Sequence, residues 1–269
     1  MVPAPASGQG HGPVFALSTP TLAQGGWSID VTSMGRVAGS DAIVMLRPMA
    51  SYGITEDLQL SLSLPMPLYR SQGLRPERAA SRMPANPDVE LMLAWRFHRR
   101  GTAVGSRFES TAYLAFAYPT DDRRAGLPTS PGIVAALVTG YASRTVYLWA
   151  GGLYRRYMTP AGPGTDHPGD LLMHTVALGY RPPPFQHDFP RPDWRLFVEV
   201  VGEYTRRDVV AGAAREESGG YQLFAGPTVL GLYGRWGVAG GPLLPVWRSL
   251  NGTQRGDDVR WVVNFIAWF

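Results

Sequence analysis

Cysteine is absent from the chain, which excludes disulfides, thiolate metal sites and cysteine nucleophiles. Lysine is absent too: all 25 basic residues are arginine, a pattern that reads chiefly as a GC-rich coding bias and not as chemistry. Charged residues are scarce, at 17% of 269 positions, and the formal net charge is only +4. So small and scattered an excess argues against nucleic acid as a partner. No apolar run reaches the roughly 18 residues that a membrane-spanning helix needs. Met1-Val2-Pro3-Ala4-Pro5 lacks both a basic n-region and an apolar h-region, so no signal peptide is expected. The chain is then either cytosolic or a mature form that carries no signal peptide.

What is present is 45% hydrophobic residues, 32 Gly, 24 Pro and 12 Tyr. That mix disfavours a helical bundle and suits many strands separated by turns. Leu58-Gln59-Leu60-Ser61-Leu62-Ser63-Leu64 alternates with period two, giving one all-leucine face and one all-polar face. At the chain's end Trp261, Val263, Phe265, Ala267 and Phe269 share a face, with Arg260 and Asn264 on the other. A terminal Phe preceded by alternating apolar residues resembles the closing strand of bacterial outer-membrane barrels, where it serves as the signal read by the insertion machinery.

Alternation and turn residues divide the rest into twelve candidate strands: 25–35, 42–52, 57–69, 87–98, 103–118, 132–141, 144–156, 170–180, 193–205, 220–231, 235–247 and 258–269. An even count places both termini at the periplasmic end. Connections alternate short and long, as such barrels require: Gly53–Glu56, Arg99–Thr102, Ala142-Ser143 and Leu232–Gly234 are short, while Arg70–Asn86, Pro119–Pro131, Tyr157–Gly169, Arg206–Gly219 and Arg248–Asp257 are long and polar. Arg36–Asp41 and the Pro-rich Arg181–Pro192 break the alternation. Aromatics gather at strand ends. Trp27, Tyr52, Trp95, Tyr180, Trp194, Trp236 and Phe269 form an inner girdle, and Tyr118, Tyr154, Tyr204, Tyr221 and Trp261 an outer one. The expected fold class is all-β, a twelve-stranded antiparallel transmembrane β-barrel of the outer-membrane type spanning 25–269. Pro65 and Pro67 remove ladder donors toward one neighbour, so a bulge or a peeled strand end is expected there.

His11-Gly12-Pro13-Val14-Phe15, Thr19-Pro20, Gly25-Gly26-Trp27 and the hairpin Ser51-Tyr52-Gly53-Ile54-Thr55-Glu56-Asp57-Leu58-Gln59-Leu60 carry a likeness to a family. The chain resembles outer-membrane transporters grouped with barrels linked to the meta-cleavage pathway of phenol degradation. The resemblance implies a passive channel for small organic solutes in the bacterial outer membrane. It transfers no catalytic or binding residue.

The inward face carries Asp30, Glu90, Glu109, Glu199 and Glu203 against Arg47, Arg96, Arg107, Arg155, Arg195, Arg235 and Arg260. These lumen-lining charges either select solutes or crosslink the wall as arginine–carboxylate pairs. Two more bases than acids would weakly favour anions and neutral solutes. Residues 1–24 are rich in Pro, Gly and Ala, do not alternate, and are expected to plug the lumen through Val14, Phe15 and Leu17. None of the five histidines shows a metalloprotease spacing. His174 points outward, but Ser110, the nearest outward serine, lies on a non-adjacent strand, so a lipid-modifying enzyme is the weaker reading. Met45, Met49, Met92 and Met173 point inward and fill space more readily than they select soft metals. No catalytic residue, metal site or cofactor is assigned. The expected partners are outer-membrane lipid, the insertion machinery at Phe269, and a small-molecule solute. The alternatives are the enzyme, a closed interaction barrel, and a soft-metal porin.

Overall fold

The structure, a computed structural model, describes residues 12–71, 88–119, 130–158, 166–187 and 190–269. Alternating apolar and polar residues give strands β1 (Trp27–Ala38), β2 (Asp41–Gly53), β3 (Leu58–Ser63), β4 (Met66–Arg70), β5 (Asp88–Ala103), β6 (Ser106–Pro119), β7 (Gly132–Ala142), β8 (Val146–Tyr157), β9 (Leu171–Tyr180) and β10 (Asp193–Thr205). A short hairpin, β11 (Val209–Val210) and β12 (Ala213–Ala214), precedes β13 (Gly220–Tyr233), β14 (Trp236–Leu250) and β15 (Val259–Trp268). Neighbours in sequence pair antiparallel around the sheet, and β1 pairs with both β2 and β15. The sheet therefore closes. With β3 and β4 counted as two halves of one broken strand, and the small hairpin outside the wall, the barrel has twelve strands. Closure leaves no free edge running the length of the wall, which an apolar solvent demands.

The outward face confirms which solvent that is. Leu62, Leu91, Leu114, Leu178, Val198 and Phe265 are between 42% and 57% exposed, in the middle of their strands. Their inward neighbours Ser61, Ala94, Ala115, Ala177, Glu199 and Ile266 are buried. An apolar band around a closed wall, flanked by exposed Trp27, Trp95, Trp236 and Tyr180 at one end and Tyr118, Tyr154 and Tyr204 at the other, fits a bilayer.

The break expected at Pro65 and Pro67 is present, and three other local features differ from the sequence reading. The third strand breaks between Ser63 and Met66, and among the described residues β4 pairs with β2 alone. The missing donors of Pro65 and Pro67 explain why it peels from β5. The β5–β6 turn is Val104–Gly105, not Arg99–Thr102, because Gly105 supplies the positive φ of 75° that a two-residue hairpin turn needs. A bulge between Arg96 and His98 also reverses the alternation: His98 lies opposite Ser110 and rests on the Phe108 ring at 5.9 Å, outside the lumen. The outer connection 206–219 contains the unexpected β11–β12 hairpin, turned at Ala211 and Gly212 with φ of 51° and 79°.

Candidate functional site: the barrel lumen

Residues 12–24 run inside the barrel and pair with no strand. Their backbone groups therefore need partners from the wall. Glu199, buried on β10, accepts the N–H groups of Val14 at 2.8 Å, Phe15 at 2.7 Å and Ala16 at 2.6 Å. The Thr228 hydroxyl donates to the same carboxylate. The Leu17 N–H donates to Thr175 Oγ1 at 3.2 Å. Further along, the Ser18 carbonyl accepts the Tyr113 hydroxyl at 2.5 Å and the Thr19 carbonyl that of Thr111 at 2.6 Å. Thr19 Oγ1 accepts from Trp149 Nε1 at 3.0 Å and donates to Glu109 Oε2 at 3.2 Å. Near the inner end the Leu22 N–H reaches Gln59 Oε1 at 2.9 Å, and the Thr21 hydroxyl reaches the Glu56 carbonyl at 2.8 Å.

Apolar packing completes the fit. Val14 and Leu17 pack on a lower cluster that includes Tyr147, Trp149, Phe197, Leu230 and Trp268. Tyr147 and Trp149 stack at 5.5 Å. Val14 and Phe15 also cover Met34, Ile43, Met45 and Val262, while Phe15 reaches Met173, Val201, Phe224 and Leu243. The methionines thus fill gaps around the threaded segment. Sequence reading missed this apolar lower lumen. The signal was present: Phe197 shares the parity of Arg195 and Glu199, and Trp149 that of Arg155. The charged members of each face mask it, because they mark the same inward parity as a polar lining.

Most of the lumen charges pair with an opposite charge. Arg260 donates to both oxygens of Glu203, at 2.7 and 2.8 Å, and to Asp257 at 2.8 Å, and lies over the Phe224 ring at 3.8 Å. Arg47 meets Glu90 at 2.7 Å, and Arg155 meets Glu90 at 3.3 Å and Asp88. Toward the inner end Arg96 bridges Asp57 at 2.8 Å and Glu109 at 3.2 Å, and Arg107 reaches Glu109 at 3.0 Å from a half-exposed position at the rim. Arg195 meets Asp193 at 3.2 Å. Asp30 accepts from Asn264 at 3.0 Å. Arg235 is corrected: it sits exposed in the turn between β13 and β14, outside the lumen. Asp88, Asp193 and Asp257 are inward acids that the sequence reading left out. Together these changes remove the expected excess of bases and, with it, the electrostatic ground for anion preference.

Beside the threaded segment lies a cavity of about 320 Å³. Phe15, Met173 and Leu243 give it an apolar side, and Asp30, Arg47 and Asn264 a polar one. Its volume is at the lower end of small-molecule sites. Among the described residues no cluster of His, Asp or Glu could hold a metal ion. On the outer surface His174 stacks on Tyr221, with Nε2 3.3 Å from the Tyr221 hydroxyl, across the space left by Gly202. The Ser110 hydroxyl is engaged with Thr139 at 2.9 Å. Ser110 on β6 and His174 on β9 are separated by β7 and β8, so this nucleophile and base are not brought together. Residues 1–11, the remainder of the expected plug, lie outside the described residues.

No family model matches the chain, and no curated protein matches it by sequence. Solved structures do resemble it in fold. A COG4313 outer membrane channel from Pseudomonas putida F1 superposes with a TM-score of 0.69 at 11% identity, over 95% of this chain and 100% of that one. The NanC porin gives a TM-score of 0.54 at 8% identity, over 90% and 99% of the two chains. At these identities the likeness is one of fold: a closed antiparallel barrel of the outer-membrane type.

Proposed function

We propose that this protein is a bacterial outer-membrane channel for small uncharged organic solutes, hydrophobic and aromatic ones among them, and that residues 12–24 occupy its path as a displaceable plug. The observation that carries this reading is the threaded segment itself. It is held by hydrogen bonds from side chains that a simple structural wall would not need. The charge pairing supports uncharged solutes, since paired ions present little net field to a passing molecule. The fold likeness to channels and porins supports the class.

The test is solute entry into proteoliposomes, with planar-bilayer conductance beside it. Deleting residues 2–22 should speed swelling in neutral solutes such as benzyl alcohol more than in benzoate or benzylammonium of similar size. If neither the intact nor the truncated barrel admits solutes or ions, the channel reading fails. A closed barrel working through its outer loops then becomes the better account.

A further inference from the structure

The β5–β6 hairpin projects beyond its neighbours at the end of the barrel where β1 begins and β15 ends. On the β5 side, pairing with β3 ends at Leu58 opposite Trp95, and the last bond across that seam is Arg96 N–H to the Asp57 carbonyl at 2.8 Å. From Phe97 to Ala103 the strand is exposed at every residue, and among the described residues it pairs with β6 alone. Along this seven-residue edge the backbone groups of alternate residues point away from β6 and meet no strand among the described residues. Exposed edges of this length are templates for another strand.

The edge has a chemical character. Arg99, Arg100, Arg107 and Arg144 are all exposed at this corner. Arg107 turns to Glu109, and Arg99 reaches only the largely exposed Glu56, at 3.7 Å. Arg100 has no carboxylate partner among the described residues. Arg144 packs against Gly105 in the turn. A Cβ built on Gly101 would meet nothing within 4 Å, so the face beside that residue is open.

We propose that residues 97–103 form a docking edge for an extended acidic polypeptide segment of another protein, which adds to β5 as an antiparallel or parallel strand. Backbone pairing would give affinity, and the arginines would select acidic side chains. A second copy of this chain is the poorer occupant, because its own edge would bring a matching set of arginines into like-charge contact. This inference does not rest on the channel reading.

The probe is the peptide acetyl-(Glu-Val)4-amide, offered to the intact protein in phosphatidylcholine nanodiscs. Its control has the same sequence with alternate backbone amides N-methylated, which keeps the charge and removes one hydrogen-bonding edge. The unmodified peptide should bind saturably and slow amide exchange in residues 97–103. N-methylation should weaken binding at least tenfold. The double variant Arg99→Glu, Arg100→Glu should do the same while heat-modifiable gel mobility stays unchanged. Absence of binding overturns the proposal, as does equal binding of the two peptides, which would show charge attraction alone. Protection of 97–103 by phosphatidylglycerol nanodiscs without peptide would also overturn it, because the edge would then serve the lipid surface.

Discussion

Glu199 Oε2 accepts the backbone N–H of Phe15 at 2.7 Å in the middle of the lumen, and the same carboxylate takes the N–H groups on either side of it. The wall thus recognises main chain at this point, not side chain. A carboxylate suits three converging donors because its two oxygens offer about four lone-pair sites. Side chains then decide where the segment sits: Phe15 inserts among Met173, Val201, Phe224 and Leu243, and Val14 and Leu17 turn toward the lower cluster.

Glu199→Gln should therefore loosen the segment without removing bulk. The amide keeps one acceptor oxygen but turns a donor toward N–H groups that are themselves donors. An unsatisfied buried donor costs about 1–3 kcal/mol. Charged to the docked state alone, each 1.4 kcal/mol or so raises the undocked population about tenfold. Single-channel recordings should show more frequent or longer openings than the wild type. Identical dwell times would mean that the segment does not control the path.

Arg260 holds Glu203 and Asp257 together, and all three are buried. Replacing it with methionine preserves contact with Phe224 but removes the cation that Glu203 and Asp257 share, with Arg36 still 3.9 Å from Asp257. Breaking a buried pair in this way costs about 3–5 kcal/mol. The midpoint of urea unfolding in detergent micelles should fall accordingly. Adding Glu203→Gln to Arg260→Met should recover part of the loss, since one uncompensated charge disappears. Additive losses in the double variant would show that the pair is not coupled.

Asp258 lies just before β15 and accepts the Gly39 N–H at 2.7 Å, tying the loop to the β1–β2 turn. That bond, with Arg248 adding to it, holds the carboxyl below its ordinary value. A folded value below the unfolded one means that the contribution to stability is present above the unfolded pKa and is lost as pH falls through the folded one. The tie should hold at neutral pH and release only in acid below the usual aspartate range of about 4. The protection factor of the Gly39 amide should drop in that window, and Asp258→Asn should abolish the pH dependence. A Gly39 amide whose protection follows pH equally in both proteins would assign the effect elsewhere.

The wall was legible because a bilayer enforces period two along each strand. Leu60, Leu62, Leu91, Leu93, Leu196 and Phe265 face outward as their alternation requires, and Gln59, Glu90, Arg96, Arg195 and Asn264 face inward. The break at Pro65 was legible for the same kind of reason, a missing donor. The bulge at Phe97 was not, because it adds one residue and reverses parity with no distinctive side chain to announce it. Arg99–Thr102 read as a turn from its glycine and charges, yet the two-residue Val104–Gly105 turn lets both strands continue beyond the barrel. The pairing of lumen charges was beyond sequence altogether. Asp257 meets Arg260 from a loop, and Asp88 meets Arg155 across 67 positions.

Phe269 closes the seam in two ways that can be separated. Its ring is 65% exposed at the inner girdle, while its N–H donates to the Trp27 carbonyl at 3.0 Å and its carbonyl accepts the Trp27 N–H at 3.2 Å. Phe269→Ala keeps both seam bonds and removes only the ring. Deleting Phe269 removes the bonds as well, each worth about 1 kcal/mol where it can be made without competition from water. If the ring is what the insertion machinery reads, both variants should lower the amount of heat-modifiable barrel in the outer membrane to a similar extent, and both should refold normally into micelles. If seam closure is what matters, only the deletion should fall, and it should refold poorly in vitro as well. Wild-type levels of folded barrel from both variants would leave Phe269 with no part in assembly.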